Sequence, residues 1–170
     1  MLFKYFKNVN FQNRYISPQK LFSYLEENYG AEIQEIGKST LGKPIYLFSK
    51  GNGKTSVLAW SQMHGNESNA TLAMLDLLAS LEKNPVPDFW DKIRLDFIFM
   101  LNPDGSEIWT RRNILEIDIN RDFLKESSIE MKILKKQAFS KKYDYAVVCG
   151  ADSPGRFIIS GFQSLNAMSA

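Results

Sequence analysis

Hydrophobic and polar positions along this chain change period several times, and each change marks an element. Leu21, Phe22 and Leu25 recur at helical spacing behind Ser17 and Pro18, which supply an N-cap followed by proline at the first helical position. With Gly30 as the stop, a helix is predicted over residues 18–28. Two short strands follow, at 33–36 and 43–48, joined by the turn Gly37-Lys38-Ser39-Thr40-Leu41-Gly42 as the opening of a β-meander. Val57-Leu58-Ala59-Trp60 is apolar without alternation, as a buried strand is. Ser68 or Asn69 then caps a helix in which Leu72, Met74, Leu75, Leu77, Leu78 and Leu81 cover more than one face, so that helix is mostly buried.

Pro85 and Pro87 break the chain before residues 93–100, where alternation gives way to continuous apolar residues, as in a strand entering the middle of a sheet. Strand, helix, strand on this scale is a crossover unit, so the pattern predicts parallel pairing there. In such sheets ligand groups gather at the carboxyl ends of the strands. A further helix is predicted over residues 126–139, with Ile129, Ile133 and Leu134 inward and lysines outward, followed by a strand at 143–148.

Composition narrows the partners. At 170 residues with 44% apolar content the chain is expected to form one domain with a real core. A net charge of +2, with no block of like charges, gives no pull toward nucleic acid or a membrane surface. The longest apolar stretch, 70–81, contains Asp76 and is too short to cross a bilayer core of about 30 Å. The first residues lack a continuous apolar segment of signal-peptide length, so a cytoplasmic location is expected. Cys149 is the single cysteine, which excludes an internal disulfide and a cysteine-built zinc site. Gly51-Asn52-Gly53-Lys54-Thr55 has the look of a phosphate loop, but the signature needs a glycine where Phe48 stands, and an apolar strand rather than a helix follows. It reads as a glycine turn between strands.

The chemistry centres on Met63-His64-Gly65-Asn66-Glu67, which holds the only histidine and leaves directly from the buried strand. Zinc accepts a neutral imidazole and a carboxylate, and His64 three residues before Glu67 can close two ligands on one ion. Downstream stand Leu101-Asn102-Pro103-Asp104-Gly105, then Trp109-Thr110-Arg111-Arg112-Asn113, then Asp118-Ile119-Asn120-Arg121-Asp122-Phe123. Taken singly, Arg111 and Arg112 read as a solvated loop pair, Asn120 as a turn residue and Arg121 as the surface partner of Asp118 or Asp122. Their joint order outweighs those readings.

Together these motifs, over roughly residues 10–145, resemble the N-terminal half of the zinc carboxypeptidase family's catalytic domain. The lead-in Gly37-Lys38-Ser39 with Gly42-Lys43-Pro44-Ile45 is similar as well. The resemblance implies an α/β fold, with a mixed, mostly parallel central sheet and helices on both faces. It implies zinc on His64 and Glu67, Arg111 rather than Arg112 facing the oxyanion of a tetrahedral intermediate, and Asn120 with Arg121 gripping the free C-terminal carboxylate of a substrate. The implied substrate is a peptide or small amide with a free carboxylate. An aspartoacylase or succinylglutamate desuccinylase-like amidohydrolase shares much of this pattern, and Asp104-Gly105 tilts toward the peptidase. A carboxylate-binding module without catalysis is the rival from another class.

The pattern departs from the family at its third zinc ligand, a histidine expected at the end of the strand after the last helix. No histidine follows His64, and Cys149 and Asp152 are the chemical stand-ins. The family's general-base glutamate and substrate-binding tyrosine have no match. Residues 146–170 also differ in composition from residues 1–145. They are expected to be an atypical tail, truncated or out of frame, that leaves an apolar strand edge unpaired.

Overall fold

A computed structural model describes the backbone of residues 6–153 and 156–162 and the side chains of residues 6–150. Six strands, β1 (Ile33–Lys38), β2 (Pro44–Lys50), β3 (Thr55–Ser61), β4 (Ile93–Ile98), β5 (Tyr145–Ser153) and β6 (Arg156–Phe162), form one sheet in the order β1-β2-β4-β3-β5-β6. β3 runs parallel to both its neighbours, β4 and β5, while the flanking pairs are antiparallel. The sheet is mixed, and its parallel part lies at the centre, where the crossover pattern predicts it.

Among the described residues five α-helices accompany it: α1 (Pro18–Tyr29), α2 (Asn69–Lys83), α3 (Phe89–Lys92), α4 (Pro103–Glu107) and α5 (Ile129–Phe139). On one face of the sheet, α1 and α2 bury Leu21, Leu25, Leu75 and Leu78 against Phe48, Ala59 and Phe97. On the other, α5 buries Met131, Leu134 and Ala138 against Ile45, Leu58, Trp60 and Ile98. Each fully buried side chain of this size contributes about 1.5–3 kcal/mol of transfer free energy, so both layers anchor β3. Neighbouring residues of that strand, Leu58 and Ala59, belong to opposite clusters, which is why the run is apolar without alternation.

Three predicted features come out differently. α5 begins at Ile129, because Ser128 caps it by accepting from Met131 N, and Asp122 binds Ser127 N at 2.9 Å and both the N and Oγ of Ser128 at 2.7 Å. Ile129, predicted inward, is 40% exposed; the apolar stripe starts at Met131. The last strand, predicted over 143–148, runs from Tyr145 to Ser153. β6 pairs antiparallel with β5 and is the outer strand of the sheet on that side.

Asp96 sits fully buried on β4. Burial raises a carboxyl's pKa, but hydrogen bonds from Lys141 at 2.5 Å, Tyr143 at 2.6 Å and Ser49 at 2.7 Å more than offset it and hold Asp96 below its ordinary value. A depressed folded-state pKa contributes stability that is complete above the unfolded value, ~3.9, and is lost as pH falls through the folded value. Melting temperature is therefore expected to fall below about pH 4, and Asp96→Asn to flatten part of that fall. Thermal melts across pH 2–7 check this; superimposable profiles would contradict it.

Candidate metal centre

The site is assembled where β3 and β4 end. Backbone pairing continues past both strands, with Leu101 N on Ser61 O at 3.1 Å and Asn102 N on Gln62 O at 2.9 Å. Gln62 then takes a left-handed conformation (φ 49°), a cost offset by its buried side chain. Its Nε2 donates to Gly65 O and Ser106 Oγ, and its Oε1 accepts from Thr71. The two motif loops lock together at this bend. Asn102 donates to Met63 O at 3.2 Å and caps α4 by accepting from Gly105 N at 2.9 Å. Gly65 lies so close to α4 that an added Cβ would stand 2.1 Å from the Gly105 carbonyl carbon.

Asp104 ties this pair of loops to the β1–β2 turn, accepting from Ser39 Oγ and Leu41 N at 2.9 Å each, with Lys43 Nζ at 3.4 Å. That accounts for the Ser39 and Lys43 of the lead-in: they position the Asp104 turn. The loop carrying the arginines is pinned by Asn113, whose side chain accepts from Leu115 N and Ile117 N and donates to buried Glu130 on α5 at 3.1 Å. Asp118 follows directly.

Four side chains meet at the centre. A turn closed by Glu67 N on His64 O puts both side chains on one side of the backbone, with His64 Nδ1 3.1 Å from Glu67 Oε1. His64 Nε2 is 3.0 Å from Asp118 Oδ1. Arg111 spans both acids, its Nη1 3.1 Å from Glu67 Oε1 and its Nε 3.4 Å from Asp118 Oδ2. Burial pulls the imidazole pKa down, but hydrogen bonds to Glu67 and Asp118 outweigh burial and the Arg111 charge and hold it above its usual value. For Asp118 the balance is mirrored: burial raises it, and the hydrogen bond and charge of His64, with Arg111, bring it below the usual carboxylate range. The pair favours a cation between Nδ1 and Oε1.

A metal fits that description for two ligands. Ligands about 2.1 Å from a tetrahedral zinc lie about 3.4 Å apart, close to the observed His64–Glu67 separation. With Asp118 accepting the Nε2 proton, a metal that displaces the Nδ1 proton would take the lone pair facing Glu67, and a carboxylate behind a ligating histidine is the usual partner in such sites. Among the described residues no third His, Cys, Asp or Glu joins them. Cys149, one stand-in named by the sequence, packs among the apolar residues of the α1/α2 face, and burial pushes its thiol up to about 11, which disfavours the thiolate a metal needs. The side chain of the other, Asp152, lies outside the described residues. At Gly150 an added Cβ would stand 3.6 Å from Glu67 Oε2.

Asn120 and Arg121 sit on a 3-10 turn, Ile119–Arg121, and their side chains open onto different hollows. Asn120 lines an apolar cavity of about 130 Å³ with Trp60, Met63 and Phe123, while Arg121 lines a recess beside Asp118. Arg121 pairs with neither Asp118 nor Asp122. Asp118 is the functional position that the residue pattern left unassigned; its signal was its place at the head of the Asp-x-Asn-Arg run.

A family model described as zinc carboxypeptidase matches residues 21–147. The chain belongs to the zinc carboxypeptidase family. Murein peptide amidase A of Vibrio campbellii is 32% identical over 90 residues, covering 51% of this chain and 33% of that protein. Among solved structures, carboxypeptidase A from Helicoverpa armigera superposes with a TM-score of 0.71 at 17% identity, over 81% of this chain and 46% of that one. A metallo-carboxypeptidase from Pseudomonas aeruginosa gives 0.70 at 21% identity, over 79% and 39%. These structural likenesses show the fold that the family match implies. The chain spans about a third of the amidase and under half of either carboxypeptidase chain.

Proposed function

We propose that this chain carries the first two zinc ligands and the substrate-orienting arginines of a metallopeptidase-type amidohydrolase that acts on a peptide or small amide with a free carboxylate. The observation that carries the reading is the convergence of His64 Nδ1 and Glu67 Oε1 on one point, backed by Asp118 and flanked by Arg111. When bound there, zinc would acidify a water and polarise an amide carbonyl. Asp118 holds the imidazole in the tautomer that leaves the Nδ1 lone pair for the metal, and fixes the ring's orientation. Arg111, half-exposed beside the same carboxylates, presents a guanidinium to the side from which an amide oxygen can approach. Arg121, exposed and next to Asp118, is the carboxylate-binding group. Release of C-terminal residues and cleavage of a small peptide amide are both consistent with this set. The likeness to a murein peptide amidase supports the second as much as the family supports the first.

Zinc titration of the purified chain tests the reading. Weak one-to-one binding is expected, abolished in His64→Ala and weakened about 10- to 100-fold in Asp118→Asn, which keeps the shape but no longer anchors the Nε2 proton with a charge. Equal zinc uptake by His64→Ala would remove the metal centre from this place. Protein that takes up no zinc yet binds peptides with free, but not amidated, C-termini would favour the carboxylate-binding module.

A further inference from the structure

The recess beside Asp118 has a volume of about 410 Å³, and three cations border it: Arg112, Arg121 and Lys125. Two carboxylates, Asp118 and Asp122, share its wall, and both are already engaged. Asp118 is held by His64 and Arg111, and Asp122 by the backbone and hydroxyl of Ser128 and the N–H of Ser127. The two arginines donate to backbone carbonyls, Arg112 Nη1 to Glu116 O at 3.1 Å and Arg121 Nη1 to Asn120 O at 3.4 Å. Among the described residues none of the three forms a salt bridge, whereas Arg111, one position away from Arg112, forms two. One free carboxylate needs one guanidinium. Asp118 is offset by Arg111 and His64, which leaves three cations facing one further carboxylate, Asp122, and so an excess of positive charge that can take more than a single carboxylate.

We propose that this recess is a subsite for a dianionic group, so that the substrate residue seated next to the metal centre carries a second carboxylate besides its main-chain one. Arg121 takes the carboxylate nearer Asp118, and Arg112 and Lys125 take the other. The inference rests on the proposed function for the direction in which substrate lies, but not for the charge count, which belongs to the recess alone. Because all three residues are exposed, the preference is electrostatic and fades as salt shortens the screening length.

Titrations of the intact chain with glutarate, butyrate and inorganic phosphate, followed by amide NMR shifts, test it. Glutarate is expected to bind about three- to tenfold tighter than butyrate at low salt, with shifts centred on residues 112–127, and the gap should close in high salt. Arg112→Gln and Lys125→Gln should each narrow that gap while leaving butyrate affinity unchanged, and both are exposed enough to leave the fold intact. Equal affinity for the two acids would overturn the subsite, as would a gap that survives both substitutions, shifts centred elsewhere, or binding of phosphate with no response to glutarate. Zinc binding is read separately, so loss of the dicarboxylate preference in a chain that still takes up zinc refutes this inference without touching the metal centre.

Discussion

Gly150→His is expected to raise the chain's zinc affinity by at least about 100-fold, because it supplies an imidazole at a backbone position beside the Glu67 carboxylate. A Cβ at residue 150 stands 3.6 Å from Glu67 Oε2 and, among the described residues, meets no other atom within 4 Å, so the new side chain starts next to the existing carboxylate with room to turn toward it. β5 is in register with β3 from Val57 opposite Tyr145 to Ser61 opposite Cys149, which brings residue 150 level with the exit toward His64. Isothermal titration with zinc, with Gly150→Ala as the control that adds bulk but no ligand, measures the effect. Unchanged affinity in the histidine variant would mean that the end of β5 does not face the metal. Cys149 offers no such route, since its thiol points into apolar packing and is held protonated.

Gly65→Ala is expected to destabilise the fold by about 3 kcal/mol or more, at the upper end of what overpacking costs. The added methyl would stand 2.1 Å from the Gly105 carbonyl carbon and 2.2 Å from Ser106 N, and backbone cannot swing aside as a long side chain can. Separating the two loops breaks the bond from Asn102 to Met63 O and those from Gln62 to Gly65 O and Ser106. For a chain of this size that is a drop in melting temperature of roughly 6–12 °C. Gly42→Ala provides the contrast, with a positive φ of 81° but nothing within 4 Å of the new Cβ, so it pays only the backbone strain of about 1 kcal/mol. Equal melting temperatures for the two variants would show that the His64 and Asp104 loops are not locked as described. The same variant should weaken zinc binding, because the His64–Glu67 turn rests on this contact.

Much of this arrangement was legible in the order of residues. The apolar run before His64 placed the metal motif at the end of a buried strand, and strand, helix, strand placed the Asn102 loop beside it. The continuity of four motifs named the family before any coordinate did. The first ligand pair needed no more than a three-residue spacing, because a turn of that length returns two side chains to the same side.

Other features had no such local signal. Asp118 lies 54 residues from His64, and only the fold shows that its carboxylate meets Nε2 rather than Arg121. The hub of Gln62, Thr71 and Ser106 joins polar residues from three segments, and nothing in their neighbours' periodicity distinguishes them from surface residues. Ile129 was misplaced because a helical stripe gives relative positions but not the starting phase, which Asp122 and Ser128 set from outside the helix. The three cations of the recess are spread over 14 positions of sequence, interleaved with acids that look like their partners. Local spacing and periodicity by themselves determined which elements form, where the strand ends lie and which chemistry gathers there, since those depend on neighbours a few residues apart. Tertiary structure alone decided which carboxylate serves the imidazole, which glycine stands close to Glu67 and which cations form no salt bridge. Those outcomes depend on distances between segments that the chain brings together only when both faces of the sheet are packed.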